Sequence, residues 1–135
     1  MAMADIFSNL ALGFSVAVTP MNLLFCLIGA LVGTLVGVLP GIGTIATVAM
    51  LLPITFGMPP VGALIMLAGI YYGAQYGGST TSILLNIPGE AASVVTCIDG
   101  YQMAQKGRGG AALTISAVGS FIAGTLGILG LQFFA

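Results

Sequence analysis

Apolar residues run along this chain in blocks, and short clusters of proline, glycine and hydroxyl residues separate the blocks. The longest uninterrupted block near the start, Met21 to Leu39, is uncharged and rich in Leu, Ile, Val and Phe. It predicts a membrane-spanning helix, with roughly −3 to −7 kcal/mol for insertion. Ahead of it, Asp5 to Thr19 mixes apolar residues with Asp5, Ser8, Asn9 and Ser15 and stops at Pro20, which suits an interfacial or partly buried helix. Pro40-Gly41-Ile42-Gly43 then breaks the helical pattern, because proline lacks a donor N–H and the two glycines loosen the backbone. The apolar run resumes from Thr44 to Leu52, about 13 Å if helical and so half a bilayer. Pro53, Gly57, Pro59 and Pro60 form a turn. Val61 to Tyr76 makes the next helix, with Tyr71, Tyr72 and Tyr76 toward its end as in an aromatic belt.

Two layouts fit the stretch from Gly77 to Ile98. In the favoured one, Gly77-Gly78 interrupts the helix and Ser79 to Ile87 enters the membrane. The chain turns at Asn86-Ile87-Pro88-Gly89 and a return leg, Ala91 to Ile98, leaves on the same side. Each leg is about 12 to 14 Å as helix against a hydrocarbon core of about 30 Å, so neither spans alone. In the other, Val61 to Leu85 is one long helix and the Pro-Gly turn lies in a loop. Asp99 to Gly110, with both basic residues, predicts an aqueous loop, which the positive-inside rule places in the cytoplasm. Ala111 to Phe134 is a further apolar span.

Composition removes the soluble alternatives. Hydrophobic residues make up 59% of the chain and charged residues 4%, the latter being Asp5, Glu90, Asp99, Lys106 and Arg108. A water-facing surface carries roughly a quarter to a third charged residues, so lipid is the solvent that remains. The fold class expected is all-α, a polytopic transmembrane helix bundle with broken or re-entrant helices, in one membrane domain over residues 1–135. The first twenty residues lack the Lys or Arg that opens a signal peptide, so no segment reads as a cleaved leader. Cys26 and Cys97 stand in apolar stretches without CxxC spacing or histidine, which argues against a zinc site or a disulfide framework. Two basic residues give no patch for nucleic acid. With no histidine, no Ser/His/Asp arrangement and no close carboxylate pair, enzyme chemistry has no footing, and no catalytic or metal-ligating residue is expected.

Small residues recur at every fourth position as Gly29, Gly33, Gly37 and Gly41, as Gly69, Gly73 and Gly77, and as Ser116, Ser120 and Gly124. Such stripes let helix backbones approach closely. They predict a tight bundle or a self-associating protein. Gly41-Ile42-Gly43-Thr44-Ile45-Ala46 matches a dinucleotide-binding pattern, but no acidic residue follows about twenty positions on, so that reading is set aside.

Two regions carry candidate chemistry. At Pro40, Gly41, Gly43 and Thr44, a glycine turn opening a helix leaves free N–H groups and a positive dipole end, which favours an anion; transporters hold carboxylates near the midplane with such broken helices. At Ser79, Thr80, Thr81, Ser82 and Asn86, hydroxyl and amide oxygens suit a hard cation or a polar substrate, the alternative being interhelical hydrogen bonds. Pro88 and Gly89 complete the second break. Glu90, just after it, is an intramembrane carboxylate and a functional candidate in the hairpin layout, and a surface acid in the loop layout.

The motifs resemble a known family. Gly37-Val38-Leu39-Pro40-Gly41-Ile42-Gly43, Leu51-Leu52-Pro53, the block from Tyr71-Tyr72-Gly73 through Tyr76-Gly77-Gly78-Ser79-Thr80-Thr81-Ser82 to Asn86-Ile87-Pro88-Gly89-Glu90, and Asp99-Gly100-Tyr101-Gln102-Met103-Ala104 with Lys106-Gly107 are similar to the TctA family. The resemblance implies the large multi-pass subunit of a secondary carrier in the bacterial inner membrane. Its implied partners are a small membrane subunit and a periplasmic substrate-binding protein that delivers citrate-like carboxylates. It implies no cofactor, with Na⁺ as the expected coupling ion. The family's permease is several times longer, so this chain is expected to be its N-terminal part, a truncation. The rival expectation is a small self-associating membrane protein, a channel or an assembly partner, that uses the glycine stripes as its interface.

Overall fold

A computed structural model describes residues 3–134 and, among these, contains helices and turns and no strand. Six α-helices follow in order among the described residues: α1 (Met3–Ala17), α2 (Pro20–Gly37), α3 (Gly43–Leu51), α4 (Pro60–Leu85), α5 (Val94–Met103) and α6 (Gly109–Phe134). Proline at the first position opens α2 and α4, where its missing N–H costs nothing. Gly41 and Gly43, at φ +86° and +71°, make the break between α2 and α3, and a left-handed Asn86 at φ 59° ends α4.

The α2–α4 pair is the centre of the molecule, and its two helices run parallel. Gly62 lies against Phe25 at one end, Gly69 against Cys26 and Ala30 in the middle, and Gly77 against Thr34 and Val38 at the other. Gly29, Gly33 and Gly37 face Met66, Ile70 and Ala74 in return. A Cβ at Gly69 would stand 2.6 Å from the Cys26 carbonyl oxygen, and one at Gly77 would stand 2.5 Å from that of Thr34. Only hydrogen fits between these backbones. The sequence carries the symmetry: Pro20, Gly29, Gly33 and Gly37 recur forty positions on as Pro60, Gly69, Gly73 and Gly77. Gly29 meets Met66 and Ile70, and Gly69 meets their counterparts Cys26 and Ala30. The two glycine stripes are therefore spent on each other within one chain, which removes them as the subunit interface of the rival expectation.

Parallel neighbours require a return crossing. α3 and the tight turn Leu52–Thr55 provide it, covering about 20 Å at 1.5 to 2 Å per residue. α3 turns Thr44 and Thr47 inward, both buried, and leaves Ile45 and Met50 exposed.

The burial pattern is the reverse of a water-soluble protein's. Buried hydrophobic residues are Met66, Ile70, Ala74, Ile83 and Ala112, whereas Thr44, Thr47, Thr55, Thr81, Ser82 and Ser93 are also buried. Leu23, Leu27, Leu31, Leu35, Phe121 and Leu126 are more than half exposed. An apolar exterior around a glycine and hydroxyl interior needs lipid outside. α2 and the stretch ending in α6 are long and apolar enough to cross a membrane, with 17% and 6% of their most apolar windows buried. The core helix of a soluble domain would be mostly buried.

Two expectations are corrected. Gly77-Gly78 does not interrupt the chain: α4 is continuous for 26 residues, about 39 Å, as the second layout has it. The reason lies in the packing and the hydroxyls. Gly77 is pressed onto α2 and Gly78 onto Gly89, while Ser79, Thr80, Thr81 and Ser82 donate back to the carbonyls of Gln75, Tyr76, Gly77 and Gly78 and stay within the helix. Asp99 to Gly110 is likewise no open loop. α5 runs to Met103, and one wide turn, Ala104–Arg108, with Gly107 at φ +75°, joins it to α6.

The chain nevertheless folds back where the favoured layout has its turn, and residues 86–93 are called the re-entrant segment for that fold-back onto α4. After Asn86 the chain doubles back, so that Gly89 packs on Gly78, roughly 10 Å inside the end of α4. It then climbs again through the turn Ala91–Ser93 and α5, where Gly100 meets Ile83. α6 descends antiparallel to α4, with Gly109 near Leu84 and Gly124 near Tyr72. The inward leg is a short extended stretch rather than a half-helix.

Candidate functional site

The two breaks in the chain meet, and one carboxylate joins them. Gly43 and Thr44 begin α3, where backbone N–H groups lack helical partners. Glu90, at the innermost point of the re-entrant segment, points a single oxygen at that end: its Oε2 accepts from the Thr44 amide at 3.4 Å and from the Thr44 hydroxyl at 2.5 Å. Thr44 is buried and Glu90 half-buried. Hydrogen bonds to a charged group contribute about 1.5–3 kcal/mol each, and the dipole at a helix N-terminus favours the same negative charge. Ser93 fixes Glu90 from behind, since its hydroxyl accepts from the Glu90 amide at 3.2 Å and donates to the Glu90 carbonyl at 2.9 Å.

Beside this contact lies an open cleft of about 630 Å³. α3 contributes Gly43, Thr44, Ala46 and Ala49, the re-entrant segment Glu90, Ala91 and Ala92, and α4 contributes Tyr71 and Gln75. Gln75 donates its amide to the Tyr71 hydroxyl at 3.1 Å, one helical turn away. The cleft therefore holds a carboxylate, an amide, a phenol and a threonine hydroxyl on apolar walls, with no cationic side chain. The chain's two cations, Lys106 and Arg108, lie in the turn between α5 and α6.

Of the residues singled out in the sequence, Gly43, Thr44 and Glu90 come together here. Pro40 and Gly41 are exposed beside the break and do not line the cleft. Ser79 and Thr80 are half-buried with hydroxyls bonded within α4. Thr81 and Ser82 are buried, and the Thr81 hydroxyl also donates to the Val38 carbonyl at 2.7 Å, fastening the end of α2 to α4. Asn86 and Pro88 are exposed at the end of α4, and Gly89 is buried against Gly78. Sequence reasoning missed Gln75, and it read Tyr71 as part of an aromatic belt. The available signal was the only glutamine within a helix of otherwise small, aromatic and aliphatic residues, four positions after a tyrosine.

The profile of the tripartite tricarboxylate transporter TctA family matches residues 23–135, which takes in nearly the whole α2–α6 bundle and every residue of the cleft. The chain belongs to the TctA family. A relative of the TctA-family chain is an uncharacterized 52.8 kDa protein of the TAR-I ttuC' 3' region in Agrobacterium vitis. It is 65% identical over 127 residues, covering 94% of this chain and 25% of the relative. The chain thus spans about a quarter of that protein's length. No solved structure matches it. TctA proteins are components of a tripartite tricarboxylate transporter.

Proposed function

We propose that this TctA-family chain is part of the multi-pass inner-membrane permease of a secondary carrier for tricarboxylates or similar carboxylates, and that the α3–α4 cleft forms one wall of its substrate and ion site. The observation that carries this reading is the Glu90–Thr44 contact. In it, a carboxylate is held by the amide end of a broken helix, in a chain whose exterior is otherwise apolar. A carboxylate leaving water must find N–H and O–H donors, or a cation, to replace its hydration. The start of α3 offers such donors already oriented, and Gln75 and Tyr71 add two more groups within the same cleft.

Because no lysine or arginine lines the cleft, the charge of a bound carboxylate there must be balanced from outside. Hard oxygen ligands from Glu90 and Thr44 suit Na⁺, which serves in this reading as the coupling ion. A small membrane subunit and a periplasmic binding protein complete the system. Pro40, Gly41, Asn86, Pro88 and Gly89 shape the two breaks, the hydroxyls of Ser79, Thr80 and Ser82 close onto α4 itself, and that of Thr81 ties α4 to the end of α2, so in this reading the contacts to substrate pass to Gly43, Thr44, Gln75 and Tyr71.

Uptake of radiolabelled citrate by proteoliposomes holding the complete carrier tests the reading. Gln75→Ala and Tyr71→Phe should raise the half-saturating concentration of citrate or Na⁺, while Thr114→Ala on α6 should not. Unchanged half-saturation in both cleft variants would move the site elsewhere.

A further inference from the structure

Resting on the reading of the cleft as a carboxylate site, we infer that Glu90 is a tethered stand-in for the substrate's carboxylate, a latch that holds the re-entrant segment against α3 until substrate displaces it. The geometry gives the latch three parts. The first is the tie itself, in which Glu90 Oε2 takes both the amide and the hydroxyl of Thr44, a residue 46 positions away. The second is a short arm closed by a capping box, in which the Glu90 side chain also accepts from the Ser93 amide while the Ser93 hydroxyl accepts from the Glu90 amide, with Gly89 on the other side. The third is a smooth seat, where Gly89 rests on the backbone of Gly78 and a Cβ on Gly89 would stand 2.6 Å from the Gly78 Cα. Backbone on backbone with no interlocking side chain is a contact that can slide.

Charge makes the two occupants exclusive. The first turn of α3 offers one small set of donors, and Glu90 already uses those of Thr44. A second carboxylate at the same helix end would have to compete with Glu90 for the Thr44 amide and hydroxyl, and no cationic side chain lines the cleft to hold both acids there. Substrate can occupy the amide end of α3 only as Glu90 leaves it. With Glu90 gone, no other hydrogen bond between side chains ties the re-entrant segment to α3 among the described residues. Release of the segment is then coupled to arrival of the ligand.

Native Cys97, half-buried on α5 one turn beyond the arm and outside the latch contacts, reports the state of the latch. The test uses the complete carrier in proteoliposomes, with every other cysteine replaced and Cys97 kept as the labelled thiol. The rate of reaction with a membrane-impermeant maleimide is measured with and without citrate. Citrate should accelerate labelling. Glu90→Gln, which removes the charge, and Thr44→Val, which removes the hydroxyl and keeps the charge, should each accelerate it about tenfold without citrate, the change expected from losing one charge-assisted tie. Thr44→Ser, which keeps the hydroxyl, should restore the slow rate. Labelling that is indifferent to citrate, to Glu90→Gln and to Thr44→Val overturns the latch. If in that case Gln75→Ala still raises the half-saturating concentration for citrate, the cleft remains the site and only the latch fails; if Gln75→Ala has no effect, the reading of the cleft fails first.

Discussion

Replacing Gly73 by alanine puts one methyl group where α2 and α4 touch backbone to backbone. The added Cβ would meet the carbonyl oxygen of Ala30 well inside contact distance and the amide nitrogen of Thr34 at 2.9 Å. Ordinary contact begins near 3.4 Å, so the helices must part by about 0.5–1 Å, and a gap of that size forfeits a quarter to a half of each van der Waals well along the seam. Neither neighbour is a side chain that can rotate away. Overpacking of this kind costs about 1–3 kcal/mol, from which alanine's better helix propensity recovers up to about 1 kcal/mol. Because every clashing neighbour is backbone, the cost lies in the upper part of that range, and we expect a net loss of about 1–3 kcal/mol for Gly73→Ala. The internal control is Gly119→Ala on α6, which meets nothing within 4 Å and should be neutral or stabilising by up to about 1 kcal/mol. Unfolding of the purified protein in mixed micelles by added SDS, followed by circular dichroism, compares the two. Unfolding of Gly73→Ala and Gly119→Ala at the same detergent fraction would show that the seam has room to spare and refute the expected loss.

Thr81→Val should destabilise by about 0.6–2 kcal/mol in the same titration, because it strips the Val38 carbonyl of its partner across the helix pair. Thr80→Val, whose hydroxyl bonds only within α4, should be nearly silent. Gly107→Ala should cost about 1–2 kcal/mol, since φ +75° strains any residue with a Cβ even where space is open; a midpoint equal to that of Gly110→Ala would contradict it. A single cysteine at Gly107 should resist a membrane-impermeant thiol reagent applied outside intact cells if Lys106 and Arg108 face the cytoplasm, and ready labelling from outside would reverse the orientation.

The sequence was most readable where one physical rule acts alone. Hydropathy located α2 and α6 to within two residues of their starts, because an apolar run in lipid has no alternative to helix. Pro40 to Gly43 was legible as a break since proline and left-handed glycines leave no helical option. The glycine stripes announced close packing, and the forty-residue recurrence held the identity of the partner, yet only the fold shows the two stripes facing each other. Gly77-Gly78 misled because glycine weakens helices in water, whereas here both glycines are covered by backbone and the following hydroxyls close onto their own helix. Asp99 to Gly110 misled because polar residues cluster there, although a single left-handed Gly107 suffices to turn the chain. The cleft was half legible. Thr44 and Glu90 each stood out as a chemical group beside a break, but their meeting depends on Gly89 folding back to Gly78, a tertiary contact with no local signature. Gln75 was invisible for the same reason, since its neighbours along the cleft come from α3 and from the re-entrant segment.

A structure of the complete carrier with citrate bound would decide whether the cleft is the site. Ligand density is expected between α3, α4 and the re-entrant segment, with a carboxylate within hydrogen-bond reach of Thr44 and Gln75, and with Glu90 withdrawn from the Thr44 amide. Citrate bound elsewhere, with the Glu90–Thr44 contact intact, would contradict both the site and the latch.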